Sequence, residues 1–192
     1  RSYPPEVGGM QSLMWGLSRE LSKNFMIKVF ADFIEGYKDF DEQCTFSIER
    51  VGGIKLLRKY RKAQLINEFI KENNIEGIIA DHWKSLELIK TSKKKYCLIH
   101  SKEINHSKGS GINKRLVKVL NNSEKVIANS KYPKNLAISC GVNEDKIIVI
   151  TPGVDLAKEL DKKTLNRVES LLKVKSPRLI TVSRFDKRKN HE

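Results

Sequence analysis

Apolar residues recur along the chain in two alternating rhythms. Met10, Leu13, Met14, Leu17 and Leu21 keep the i, i+3, i+4, i+7 spacing of a helix with one apolar face, and Gly8-Gly9 mark its start. Short β-branched runs follow at Met26 to Ala31, Gly77 to Ala80, Tyr96 to Ile99, Lys125 to Ala128, Ile147 to Ile150 and Leu179 to Val182. Each has strand length and reads as buried on both faces. Cys44 to Ile48 alternates apolar and polar positions and reads as an edge strand. Helical patterns occupy residues 55–73, 84–93, 113–121, 131–140 and 161–173. Strands alternating with helices predict the α/β class, a parallel sheet with crossover helices on both faces.

At Thr151-Pro152-Gly153-Val154-Asp155 a strand gives way to turn-forming residues and a charged stretch. This divides the chain into one αβ domain over residues 1–155 and a second segment, 156–192. The second segment reads as a linking helix over Leu165, Val168 and Leu172, then the first strand and loop of another domain. Arg1 to Pro5 reads as the loop leaving a strand that is not present, and a strand so near Glu192 normally feeds into more structure. The expectation is therefore an internal fragment. A parallel sheet short of a central strand has backbone groups that demand pairing, and Leu179 to Ser183 is the expected filler, inserted within one chain or swapped between two.

Composition narrows the partner. Hydrophobic residues make up 39% of the 192 and charged residues 31%, an ordinary globular balance that excludes collagen-like, low-complexity and disordered chains. Lys and Arg number 37 against 23 Asp and Glu, a net charge of +14. Such a surface suits a phosphorylated small molecule, an anionic membrane surface or a nucleic acid. Aromatic residues are only 7%, the basic residues are spread along the chain, and no nucleic-acid-binding signature is present, so nucleic acid is the weaker reading. Cys44, Cys97 and Cys140 are odd in number and lack a C-x-x-C pair. They suggest neither a disulfide framework nor a zinc cluster, and a reducing cytoplasm is the natural compartment. No apolar run approaches the roughly 20 residues that span a bilayer.

Three segments carry candidate chemistry. Pro4-Pro5-Glu6-Val7-Gly8-Gly9 precedes a helix, and glycines there let a ligand approach a helix N-terminus whose free N–H groups suit phosphate. A plain tight turn is the alternative. His100 closes a buried-type strand, at the strand end where open α/β sheets bind ligands, and Glu103 stands three residues on, as an orienting acid or a helix cap. Arg184 and Lys189 bracket a loop after the last strand, where a guanidinium and an ammonium clamp a diphosphate or simply face water. Gly109-Ser110-Gly111 lacks the third glycine of a dinucleotide fingerprint and reads as a flexible loop. Lys55 to Lys62 puts Leu56, Leu57, Tyr60 and Ala63 on one side of a helix and Lys55, Arg58, Lys59, Arg61 and Lys62 on the other. Packing of the apolar side onto the protein's own sheet is favoured there over membrane contact.

In order along the chain, Pro5-Glu6-Val7-Gly8-Gly9, His100-Ser101-Lys102-Glu103, Val126-Ile127-Ala128-Asn129-Ser130, Gly141-Val142, Lys146 to Asp155 and the Ser183-Arg184 to Arg188-Lys189 loop resemble the N-terminal part of a family 4 glycosyltransferase. The resemblance implies the N-terminal half of a GT-B fold, a Rossmann-like domain running into the start of the second. It also implies retaining transfer of a sugar from a nucleotide-diphosphate donor, in cell-surface polysaccharide or glycolipid synthesis. By analogy Gly8 and Gly9 lie against the donor diphosphate, His100 lies beside the donor sugar, and Arg184 and Lys189 hold the leaving diphosphate; Glu103 is counted with Gly8 and Gly9 as substrate-binding, and His100, Arg184 and Lys189 as catalytic. No metal or other cofactor is implied. The implied acceptor is a sugar or a phosphorylated lipid-linked glycan, with peripheral contact at the inner face of an anionic membrane and no nucleic acid. Ser101 stands where the family histidine is often followed by glycine, and the resemblance places the family's donor-contacting E-x7-E motif in the C-terminal domain beyond Glu192, so little or no transfer is expected of this fragment. A nucleic-acid-binding basic domain and a non-catalytic nucleotide or sugar-phosphate module are the competing readings.

Overall fold

The computed structural model describes residues 3–154, 159–171 and 181–183. Two compact units divide the chain, Arg1–Gly153 and Val154–Glu192. The first runs α1 (Gly9–Leu21), β1 (Lys28–Asp32), α2 (Tyr37–Glu42), β2 (Ser47–Val51), α3 (Lys55–Glu72), β3 (Gly77–Ala80), α4 (Trp83–Leu86), β4 (Lys94–Ile99), α5 (Gly111–Asn121), β5 (Lys125–Ala128), α6 (Lys131–Cys140) and β6 (Ile147–Val149). Every strand pairing among the described residues is parallel, as the alternating pattern predicts. The strands form two sheets, ordered β1-β2 and β3-β4-β5-β6.

Each sheet has its own core. Cys97, Ile99, Val126 and Ala128 of the larger sheet pack against Trp83, Leu116, Leu120 and Ala137 from α4, α5 and α6. Small residues at the sheet centre let the helices approach, and Trp83, Leu116 and Leu120 fill the space between. The smaller sheet gathers Tyr3, Ala31 and Phe46, with Met14 and Trp15 of α1 packed against them.

Several elements depart from the sequence pattern for local reasons. The edge strand begins at Ser47, because Cys44 still donates its N–H to the Asp41 carbonyl at 3.1 Å in the turn that ends α2. The helix expected over 84–93 stops at Leu86. There Asn67 of α3 takes the Lys90 N–H at 2.8 Å and donates to the Leu88 carbonyl at 3.1 Å, diverting groups a longer helix would use. Gly109-Ser110-Gly111 is a built helix start rather than a flexible loop. Ser110 accepts from the Asn113 N–H at 3.2 Å, and buried Asn113 accepts from the Gly109 N–H and donates to the Cys140 carbonyl.

The apolar side of α3 is also corrected. Leu56, Leu57 and Tyr60 are exposed, whereas Lys62 and Ala63 face inward, because Lys62 pairs with Asp32 at the end of β1. Burial pushes the Asp32 carboxyl up, but the Lys62 hydrogen bond and charge, with Arg58 beside it, outweigh burial and hold it below its ordinary value. The inward position is thus stabilised by an ion pair.

In the second unit, α7 (Lys162–Leu171) is capped by Asp161, which accepts from the Thr164 N–H and hydroxyl at 2.9 and 2.7 Å. Of the strand expected at Leu179 to Val182, only Thr181 and Val182 are described. Neither is in a strand, and the rest of that run lies outside the described residues.

Candidate active site

The carboxyl ends of three neighbouring strands carry polar residues at one place. Asp81 follows β3, His100 follows β4 and Asn129 follows β5, and these strands are adjacent in the sheet. The register aligns Ile99 with Ala128, so His100 and Asn129 leave the sheet side by side. Asn129 Nδ2 donates to His100 Nδ1 at 3.2 Å. A neutral imidazole with Nδ1 accepting carries its proton on Nε2. That nitrogen is buried and has no hydrogen-bond partner.

Glu103 acts on the backbone of this loop. Its Oε1 accepts from the His100 N–H at 2.5 Å and its Oε2 from the Ser101 N–H at 3.3 Å, so it folds the chain after β4 into a tight turn. The imidazole is therefore oriented by Asn129, and Glu103 fixes where the His100 backbone stands. Trp83, fully buried, completes the support by donating its indole N–H to the Glu103 carbonyl at 2.9 Å. Burial holds the His100 imidazole below its ordinary value, against the opposing charges of Glu103 and Asp81. A neutral histidine at this position is a hydrogen-bond donor through Nε2 rather than a cation.

Gly8 and Gly9 sit on the loop tied to the smaller sheet. Arg50 Nη2 donates to the Pro4 carbonyl at 2.5 Å, and the Pro4-Pro5 bond is cis. Gly9 is the first residue of α1, and Gly8 caps it without a side-chain hydrogen bond. A Cβ built on Gly9 meets nothing within 4 Å, and one on Gly8 meets only the movable end of Gln11. The fold itself does not require a glycine at position 9. Arg184 and Lys189 lie outside the described residues.

Residues 7–158 match the model of Glycosyltransferase Family 4. The chain belongs to this family. Its fold is that of the N-terminal half of a GT-B glycosyltransferase and is similar to Anabaena Alr3699/HepE solved with UDP-glucose, at TM-score 0.67 and 16% identity, over 90% of this chain and 48% of that one. The same Anabaena protein solved with UDP gives 0.65 and 15% over the same shares. A glycosyltransferase from Rickettsia africae gives 0.66 and 18%, over 92% of this chain and 51% of the other. The family 4 chain thus spans about half the length of these proteins. Comparison with curated proteins finds no match.

Asn129 is the residue that sequence reasoning passed over as a site. The signal was present in the repetition of a polar residue directly after β3, β4 and β5, at Asp81, His100 and Asn129. In a parallel sheet such residues converge because adjacent strands end at the same edge.

Proposed function

We propose that this family 4 chain supplies the acceptor-side half of a retaining glycosyltransferase that uses a nucleotide-diphosphate sugar. The observation that carries the reading is the buried, unpartnered Nε2–H of His100, aimed from a strand end and fixed by Asn129. Leaving such a donor unsatisfied costs about 1–3 kcal/mol, a cost that a sugar hydroxyl or phosphate oxygen offsets on binding. Gly9 supports the same reading, since the open space at its missing side chain leaves the α1 N-terminus reachable by a phosphate. The UDP and UDP-glucose in the Anabaena neighbour are consistent with this class of donor.

In the proposed reaction the bond between the anomeric carbon and the diphosphate oxygen breaks, and its electron pair leaves with the nucleoside diphosphate. The acceptor hydroxyl oxygen bonds to that carbon on the same face and passes its proton to the departing diphosphate oxygen. Charge grows on the departing phosphate while the sugar becomes oxocarbenium-like, so fixed donors and cations aimed at the phosphate are the catalytic devices, without a metal in the scheme. We assign Arg184 and Lys189 to the leaving diphosphate, His100 to the donor sugar and Gly8, Gly9 to the diphosphate. The acceptor is a sugar or a lipid-linked phosphorylated glycan, in polysaccharide or glycolipid synthesis at the inner face of a membrane.

Titration of the labelled chain with UDP-glucose, followed by amide NMR, tests this reading. Shifts concentrated at Gly9, His100 and Asn129 are expected, and they should vanish in His100→Ala. Donor-independent spectra, together with steeply salt-dependent binding to DNA or RNA, would replace it with the nucleic-acid reading.

A further inference from the structure

The first two turns of α3 carry their large apolar residues outward, whereas further along Ala63 is buried and Ile66, Phe69 and Ile70 are half-buried. With 3.6 residues per turn, Leu56 and Tyr60 share one stripe with Leu57 beside it, and Gln64 continues that stripe as a polar residue. This stripe is the outward one. Leu56 is 80% exposed, Leu57 56% and Tyr60 54%, while Lys62 and Ala63 are turned to the interior. Ile54, just ahead of the helix, is 71% exposed. Phe33, half exposed, stands against the same turn, 3.4 Å from where a Cβ on Gly52 would lie. The apolar stripe ends after two turns.

Cations frame it. Lys55, Lys59 and Arg61 are exposed, Arg58 is half-buried, and no acidic residue occurs in the helix before Glu68. Lys59 Nζ rests 4.7 Å from the centre of the Tyr60 ring, so a charge and an amphipathic aromatic share one spot. An apolar strip with a tyrosine and flanking lysines is what an anionic bilayer surface recognises, with the side chains entering the headgroup region and the cations meeting lipid phosphates. No helix among the described residues is long and apolar enough to cross a membrane, so the mode is contact along the surface.

We propose that Ile54, Leu56, Leu57 and Tyr60, framed by Lys55, Lys59 and Arg61, form a docking face for an anionic lipid bilayer. The inference deepens the proposed function by giving the lipid-linked acceptor a surface to arrive on, and it rests on that reading only for this purpose.

Cosedimentation with vesicles tests it. The chain should partition onto vesicles of equal parts phosphatidylglycerol and phosphatidylcholine at least tenfold better than onto phosphatidylcholine alone, with the difference shrinking in high salt. Leu56→Ser with Leu57→Ser should lower binding to the mixed vesicles about tenfold, and Lys55→Glu, Lys59→Glu and Arg61→Glu together roughly a hundredfold. All five positions are at the surface, and unchanged thermal melting shows that the variants remain folded. Wild-type vesicle binding by both variants would overturn the proposal. So would a wild-type dimer in sedimentation equilibrium that Leu57→Ser dissociates without any vesicle binding, which would make the face an interface between copies. UDP-glucose shifts at His100 read the donor site separately, so loss of lipid binding with those shifts intact sinks only the docking face, and the converse sinks only the transferase reading.

Discussion

Arg50 grips Asp41 through two parallel bonds, Nη2 to Oδ1 at 2.5 Å and Nε to Oδ2 at 2.9 Å. The Arg50 side chain is 3% exposed and that of Asp41 15%. Because the same guanidinium also donates to the Pro4 carbonyl, one buried cation joins β2, α2 and the loop that leads into Gly8-Gly9. Its ring neighbours are Tyr3 and Tyr37, each 5.7 Å from the guanidinium carbon. The glycine loop is held in place from beneath by this pair.

Arg50→Ala should therefore destabilise the chain by about 3–5 kcal/mol, since it leaves the Asp41 carboxylate buried without its partner. Arg50→Lys keeps the charge but loses the fork, and should recover only part of the loss. The Arg115–Glu87 pair makes the contrast. Its geometry is as good, at 2.6 and 2.8 Å, but Arg115 is half exposed and water screens the pair, so Arg115→Ala should cost clearly less than Arg50→Ala. Urea unfolding of the variants measures both, and equal losses would refute the distinction.

Much of this fold could be read from the sequence because strands of a parallel sheet announce themselves as unbroken apolar runs. Gly77 to Ala80 and Lys125 to Ala128 occupy the expected residues. Burial on both faces fails at the sheet edges, where Ile79 of β3 and Ile148 and Val149 of β6 are exposed because no further strand among the described residues covers them. What failed depended on partners distant in sequence. The end of α4 is set by Asn67, 23 residues before Lys90, and the inward turn of Lys62 is set by Asp32, 30 residues away. Periodicity alone assigns the apolar side of a helix to the core, and it has no means of knowing that an ion pair occupies that place. His100 was visible as a strand-end residue, whereas Asn129 became part of the site only once the register of β4 and β5 was known.

The pH dependence of stability follows from His100. In the unfolded chain its imidazole accepts a proton around the ordinary value of 6.5, and in the folded chain only at lower pH, because burial disfavours the cation. Between these two values the unfolded chain binds more protons. The stability gained by keeping His100 neutral is thus fully present above 6.5 and drains away as pH falls through the window beneath it. Proton NMR should place the His100 titration below that of a model histidine. Urea melts at pH 7.5 and 5.5, about one unit either side of the imidazole value, should show a larger loss for wild type than for His100→Asn. An equal loss in both would show that other groups control acid unfolding.

Gly9→Ala separates a glycine kept for a ligand from one kept for the fold. The added methyl meets nothing within 4 Å, and alanine is the better helix former, so stability should be unchanged or rise by up to about 1 kcal/mol. If the α1 N-terminus receives the donor diphosphate, the same methyl should weaken UDP-glucose binding about tenfold, by roughly 1.4 kcal/mol. Calorimetry on the variant decides the matter. A destabilised Gly9→Ala, or one that binds like wild type, would return this position to an ordinary turn.

Asn129 sets which imidazole nitrogen carries the proton. In wild type its amide donates to Nδ1, so Nε2–H is left as the buried donor. Asn129→Asp replaces that donor with a carboxylate that accepts. The proton of the neutral ring should then move to Nδ1, and the imidazolium should be favoured by the adjacent charge, raising the His100 pKa relative to wild type. With Nε2 turned from donor to acceptor, a phosphate oxygen loses its partner and a sugar hydroxyl must reverse its hydrogen bond, and donor affinity should fall by roughly tenfold. Imidazole nitrogen chemical shifts distinguish the two tautomers directly. Wild-type protein with its proton on Nδ1 would reverse the assignment, and with it the role given to His100.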